Sequence, residues 1–201
     1  QVRKSWKRVW IVDPLDGTKE YVKRNGEFAV NIALVENESP VIGVIYAPVF
    51  RDIYFGARGM GSYKITQNDV IVELTKKNLP DNLFEFARKL PVQPLPANYT
   101  VVASRSHLSR EVNERIGELK DLYGTVDMIS VGSSIKQCWV AEGKAHEYPR
   151  FGDTMEWDTA AGQCILEEAG GSLVEYSSRQ PLKYNKAQML NPFFIALNGR
   201  Q

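Results

Sequence analysis

The hydrophobic rhythm of this chain changes once, near Thr100, and that change limits the folds open to it. Before it, the segments Phe28 to Val35, Val41 to Ala47, Asp52 to Ala57 and Ser62 to Ile65 are short and rich in β-branched or aromatic residues. Turn-forming residues separate them, which predicts a meander of strands. Val70 to Leu74 is a further strand candidate and Asn82 to Lys89 a short helix, while Pro91, Pro94 and Pro96 mark a connection. After the change, strands at Thr100 to Ser104, Thr125 to Ser130, Ala145 to Tyr148, Gly171 to Val174 and Phe193 to Leu197 are expected. They alternate with helices at Ser109 to Leu122, Ser133 to Glu142 and about Thr159 to Ala169, as in an α/β layer. The expected organisation is a sheet-rich unit over residues 1–98 and an α/β unit over 99–201. No internal repeat interrupts this pattern. The 201 residues, 43% of them hydrophobic, suffice for one large or two small cores.

Charge and cysteine usage exclude several classes of function. The net charge is +1, from 25 basic and 24 acidic residues, so no global electrostatic case for nucleic-acid binding exists. Arg3, Lys4, Lys7 and Arg8 form only a short basic run. Cys138 and Cys164 stand far apart without Cys-x-x-Cys spacing, which argues against a zinc site or a disulfide framework and is compatible with a reducing compartment. No apolar stretch approaches the roughly 18 residues of a membrane span. A cytoplasmic protein is expected, with loose association at the cytoplasmic face of a membrane left open.

Two acidic elements carry the chemistry. Asp13-Pro14-Leu15-Asp16-Gly17-Thr18 follows the apolar strand candidate Val9 to Val12 and sets two carboxylates, a free carbonyl and a hydroxyl on one tight loop. Mg²⁺ prefers oxygen ligands and is usually held by a few carboxylates plus substrate phosphate oxygens. Pro14 biases Asp13 toward extended geometry. Gly17 permits a sharp turn or a close approach to phosphate, and Thr18 offers a hydroxyl that can orient water. The same residue types are also good turn chemistry. The second element is Trp157-Asp158-Thr159-Ala160-Ala161-Gly162, where Asp158 stands at a predicted helix start and Gly170-Gly171 at its stop. An Asp there is commonly only an N-cap. The small residues after it, however, let the helix approach another layer closely and bring its amino-terminal end to an anion.

Together these elements, in this order, resemble the paired signatures of the Mg²⁺-dependent, lithium-sensitive inositol monophosphatase superfamily. The likeness runs over nearly the whole chain. Within the superfamily the surroundings look most like the 3'(2'),5'-bisphosphate nucleotidases, through the extension Lys19 to Phe28, Ala103-Ser104-Arg105-Ser106-His107, Gly132-Ser133-Ser134-Ile135-Lys136 and Tyr148-Pro149-Arg150-Phe151-Gly152. The resemblance implies the layered α-β-α-β-α sandwich of the inositol monophosphatase and fructose-1,6-bisphosphatase type, with its amino-terminal helices missing from these residues.

The resemblance also implies a site. Asp13 would bridge two Mg²⁺ ions, of two or three in all, Leu15 would lend its carbonyl to one, and Asp16 with Asp158 would hold the other. Gly17 and Thr18 would lie beside the scissile phosphate, with Thr18 helping to position the attacking water. Ser133 and Lys136 are candidates for the phosphate that is retained, Arg150 for that phosphate or for a purine, and Ser104 and His107 for further substrate contacts. Each also has a plainer reading: an N-cap with a solvated lysine, a surface arginine, a histidine capping the next helix. The implied reaction is hydrolysis of adenosine 3',5'-bisphosphate to AMP and phosphate by in-line attack of water, a clearance step of sulfur metabolism, with lithium as an inhibitor. The alternatives are an inositol or sugar phosphate monoesterase and an inactive nucleotide-binding module. A Glu-Glu element expected before the acidic loop has no counterpart among the first twelve residues, which contain no carboxylate. With no initiator Met at the start, a preceding segment is expected to supply it.

Overall fold

The computed structural model describes residues 2–66, 83–103 and 109–199. The predicted meander is present: β1 (Arg8–Asp16), β2 (Ala29–Glu36), β3 (Ser39–Ala47), β4 (Asp52–Ala57), β5 (Gly61–Thr66) and β6 (Arg88–Lys89) pair in chain order as an antiparallel sheet. The strand candidate Val70 to Leu74 lies outside the described residues. In the described part of Asn82 to Lys89 the expected helix is replaced by a single 3₁₀ turn, Leu83–Glu85, followed by β6. The Phe84 ring packs against Phe55 and Tyr63, and Leu90 donates its N–H to the Ser62 carbonyl at 2.8 Å. These cross-strand partners outcompete a helix too short to offset its own nucleation cost.

A second sheet holds β7 (Tyr99–Ala103), β8 (Val126–Ser130), β9 (Glu147–Arg150), β10 (Ser172–Glu175) and β11 (Phe194–Leu197) in the order β10-β11-β9-β7-β8. Its β7 pairs in parallel with β8 and β9, and the β9-β11-β10 side is antiparallel. The α-helices among the described residues are α1 (Thr18–Lys23), α2 (Arg110–Tyr123), α3 (Ile135–Glu142) and α4 (Glu156–Glu168). α1 falls where the sequence suggested only a loop extension; Gly17 and Arg24, both left-handed, bound it at either end. α2 starts where Ser109 accepts the Val112 N–H, and it buries Val112, Ile116 and Leu119 at helical spacing.

The order of layers follows from which residues each face buries. α4 lies on the first sheet, chiefly on β3 and β2, and also reaches β10, while α3 packs on α4, β7, β9 and β11. One core joins both sheets through these two helices, from Ala33 and Ile45 to Ile165, Leu166 and Phe194. Val101, on the opposite face of β7 from Val102, joins Tyr99 and Leu119 in a second cluster under α2. Sheet, helix pair, sheet and α2 therefore stack in that order. On β1, Val9 and Ile11 face this core whereas Trp10 and Val12 stand exposed on the other side. A buried ion network ties the first sheet to α3. The Lys64 ammonium lies 2.8 Å from Asp52 and also pairs with Glu142, whose other oxygen meets Lys144 at 2.6 Å.

Close approach of α4 to β3 depends on Gly43, where a Cβ would stand 2.3 Å from the Ala161 carbonyl oxygen. Gly43→Ala is expected to push the helix off the sheet and cost about 1–3 kcal/mol, the usual range for overpacking. Urea unfolding checks this through a lowered midpoint at unchanged slope.

Candidate active site

A one-residue irregularity in β1 brings the first two carboxylates together. Asp13 pairs with Asn31 and Asp16 with Ala29, so three steps along β1 match two along β2. In a regular strand residues three apart face opposite sides; the extra residue of a bulge puts them on one side. The acidic residues thus stand on the bulged end of a strand, not on the tight loop that the sequence suggested. Pro14 lies within the bulge, on a strand at the edge of the sheet among the described residues, two places where a sheet accepts a residue without an N–H. The Leu15 N–H donates to Asp13 Oδ1 at 3.0 Å, and the Thr18 hydroxyl reaches the Leu15 carbonyl at 3.4 Å. Gly17, at φ 86°, turns the chain into α1; a Cβ there would lie 3.1 Å from both the Glu27 carbonyl and Ser133 Cβ.

The third carboxylate arrives with α4. Asp158 is not the N-cap but the third residue of the helix, and its Oδ2 accepts the Met155 N–H at 2.7 Å. Buried Glu156 fixes this end of the helix by accepting the N–H groups of Asn185 and Lys186, each at 2.8 Å. One oxygen from each of Asp13, Asp16 and Asp158 then lies within 4.8 Å of the others.

This crowding has an electrostatic signature. Burial, together with the Asp16 charge, raises the Asp13 pKa above the ordinary carboxylate value against the opposing Leu15 N–H. Asp158 is pushed up to about 6, mainly by burial and further by Asp16 and Asp13, while the Met155 N–H and Arg150 oppose the shift. Three half-buried carboxylates brought this close, with the charged forms of Asp13 and Asp158 disfavoured, fit a hard divalent cation, which would relieve the repulsion with oxygen ligands alone.

Beside the cluster is a cavity of about 760 Å³ whose lining includes Asp16, Gly17, Thr18, Ser133, Lys136, Tyr148, Arg150 and Asp158. Ser134, at the start of α3, donates its main-chain N–H to Asp16 Oδ2. Lys136, far from being solvated, is 7% exposed; its ammonium donates to the Val131 carbonyl at 3.3 Å and sits 5.4 Å from the centre of the Tyr148 ring. Burial lowers its pKa to about 8, against the pull of Asp16. Arg150 donates to the Asp153 carbonyl at 3.0 Å, while its buried Nε has no partner among the described residues. Ser104 and His107 lie outside the described residues. The sequence reading missed Lys19, Glu20 and Lys23, which α1 brings to the cavity wall, and Gln137, whose Nε2 donates to the Asp158 carbonyl at 2.8 Å. Only their nearness in sequence to the first acidic element, or for Gln137 to Lys136, pointed to them.

Three converging carboxylates beside an ammonium and a guanidinium suit one kind of ligand, a divalent cation bridged to a phosphate-bearing molecule. Residues 1–193 match the inositol monophosphatase family, and the chain belongs to that family. The 3'(2'),5'-bisphosphate nucleotidases CysQ of Shigella flexneri and of Escherichia coli K12 are each 40% identical to it over 195 residues, 96% of this chain and 70% of the relative. The crystal structure of CysQ from Bacteroides thetaiotaomicron, described as a bacterial member of the inositol monophosphatase family, matches with a TM-score of 0.90 at 48% identity. That match covers 100% of this chain and 73% of the other. An inositol monophosphatase from Zymomonas mobilis shares the fold alone, with a TM-score of 0.72 and 19% identity over 98% of this chain and 67% of its own. Among the described residues no helix is long and apolar enough to cross a membrane.

The raised pKa of Asp158 sets a pH dependence. In the metal-free protein its protonated form stabilises the fold; this contribution is complete below the ordinary aspartate value of 3.8 and is lost as pH rises through about 6. A cation must displace that proton, so Mn²⁺ affinity is expected to fall about tenfold between pH 7 and pH 5. Calorimetric titration at the two pH values checks this, and the thermal shift produced by Mg²⁺ should be larger above pH 6 than below it.

Proposed function

We propose that this chain is a Mg²⁺-dependent phosphomonoesterase that hydrolyses adenosine 3',5'-bisphosphate to AMP and phosphate. The observation that carries this reading is the convergence of Asp13, Asp16 and Asp158 within 4.8 Å at the edge of a cavity that also holds Lys136 and Arg150. Its nucleotide specificity is supported by relatives named 3'(2'),5'-bisphosphate nucleotidase at 40% identity.

Asp13, Asp16 and Asp158, with the Leu15 carbonyl, hold the cations. Mg²⁺ held there would supply charge neutralisation for the phosphate and make a nearby water more acidic. Thr18, beside the Leu15 carbonyl, orients that water for attack in line with the ester oxygen, and Gly17 leaves room for the phosphate. The water oxygen forms a bond to phosphorus as the bond to the ribose oxygen breaks, and the proton released by the water passes to the departing oxygen. Lys136 and Arg150 bind the phosphate that is kept, with Ser133 alongside. A cationic pair in a half-enclosed cavity favours a second anionic group, which a bisphosphate has and an inositol monophosphate lacks. Li⁺ would inhibit by competing for the same carboxylates.

Initial rates with Mg²⁺ on adenosine 3',5'-bisphosphate and on inositol 1-phosphate test the assignment. A clear preference for the nucleotide is expected, and preference for the inositol ester overturns it. Asp16→Asn and Asp158→Asn should each lower kcat/KM by more than about a hundredfold, beyond the 10–100-fold typical of residues that only orient metal ligands. Circular dichroism should show the fold retained. Lys136→Ala should raise KM for the bisphosphate about tenfold or more, the worth of a charged hydrogen bond, and change KM for a nucleoside monophosphate far less.

A further inference from the structure

β2 places a polar residue where its pattern calls for an apolar one. Its core-facing positions are Ala29, Asn31, Ala33 and Val35, all at most 1% exposed. A buried amide costs stability unless both of its ends are hydrogen-bonded. Asn31 meets that demand through two elements of the site. Its Nδ2 donates to the Trp157 carbonyl at 3.2 Å, and its Oδ1 accepts the Ser134 hydroxyl at 2.7 Å. The amide orientation is fixed, because a carbonyl can only accept and so must face the NH₂ group.

Each contact leads to a carboxylate of the cluster. Asn31 pairs with Asp13 in the β1–β2 ladder. Trp157 directly precedes Asp158, and Ser134 donates its main-chain N–H to Asp16 Oδ2. One residue thereby joins the surroundings of all three carboxylates: its side chain reaches the neighbours of Asp16 and Asp158, and its backbone is the ladder partner of Asp13. We propose that Asn31 is a positioning residue that sets the spacing of the carboxylate cluster, so that losing its amide weakens cation binding while the fold remains. This rests on the reading of the cluster as a cation site.

Calorimetric titration of the full encoded protein with Mn²⁺ alone, at pH 7.5, tests the proposal in four variants. Asn31→Leu keeps the branched shape, with bulkier methyl ends, and removes both hydrogen bonds, and Ser134→Ala removes one of them from the other side. About a tenfold or greater rise in the Mn²⁺ dissociation constant is expected for Asn31→Leu, in the range for groups that orient metal ligands, and a smaller rise for Ser134→Ala. The double variant should bind no more weakly than Asn31→Leu, because the serine hydroxyl acts through the amide. Activity lost by Asn31→Leu should return at high Mg²⁺ with KM for the nucleotide unchanged, which a general loss of structure would not give. Mn²⁺ affinity within twofold of wild type in folded Asn31→Leu overturns the role of Asn31; if that variant does not fold, the same result in Ser134→Ala does so. Asp158→Asn separates the two levels. Loss of Mn²⁺ binding there with retention in Asn31→Leu removes only the role of Asn31, whereas wild-type binding in Asp158→Asn removes the cation reading and this proposal with it.

Discussion

Gly43 faces the Ala161 carbonyl, and Gly162 faces Gln137, where a Cβ would fall within 2 Å of the amide oxygen (1.9 Å). Because neither position has a side chain, α4 can lie against β3 on one side and α3 on the other. That double contact carries Asp158 to the end of β1. Gln137 then donates to the Asp158 carbonyl at 2.8 Å, so the residue that fills the gap left by Gly162 also steadies the helix end. The cluster exists because small residues let backbone approach backbone, and no local preference of either motif could produce it alone.

Two charged clusters of this molecule show opposite electrostatic designs. Around Lys64 every charge meets its complement: Asp52 and Glu142 flank the ammonium, Lys144 answers Glu142, and Tyr54 and Thr66 donate to Asp52 at 3.3 and 2.6 Å. Such a network is closed and joins the first sheet to α3. Asp13, Asp16 and Asp158 instead face one another with few donors, and burial raises the pKa of Asp13 and Asp158. Charge left uncompensated by the protein is what makes the second cluster suited to a cation. Lys136 and Arg150, across the cavity, are near enough to the carboxylates to affect them, yet each keeps capacity for a further partner.

The two acidic motifs could be read directly because each is contiguous and each residue type has a distinct task. Most strands and helices were legible for the same reason, since alternation and helical spacing are local signals. Errors arose where tertiary partners outweighed local preference. Phe84 found aromatic partners on the sheet, and a short helix gave way to a 3₁₀ turn and a strand. The helix expected from about Thr159 begins three residues earlier, at Glu156, whose carboxylate is held by the N–H groups of Asn185 and Lys186. Lys136 had a plain reading as a solvated side chain, whereas the fold buries it against Tyr148.

By itself the sequence determined the kind of groups on offer: candidate oxygen ligands at Asp13, Leu15, Asp16 and Asp158, and basic groups at Lys136 and Arg150. It also determined the sequence of elements, since their periodicity is written in the order of residues. Only the tertiary structure decided that a bulge turns Asp13 and Asp16 to the same side, that α4 brings Asp158 to them, and that Asn31 bonds to the neighbours of both groups. The physical reason is distance along the chain. Residues 13, 31, 134 and 158 have no local signal for one another, and their meeting depends on how closely two layers can pack.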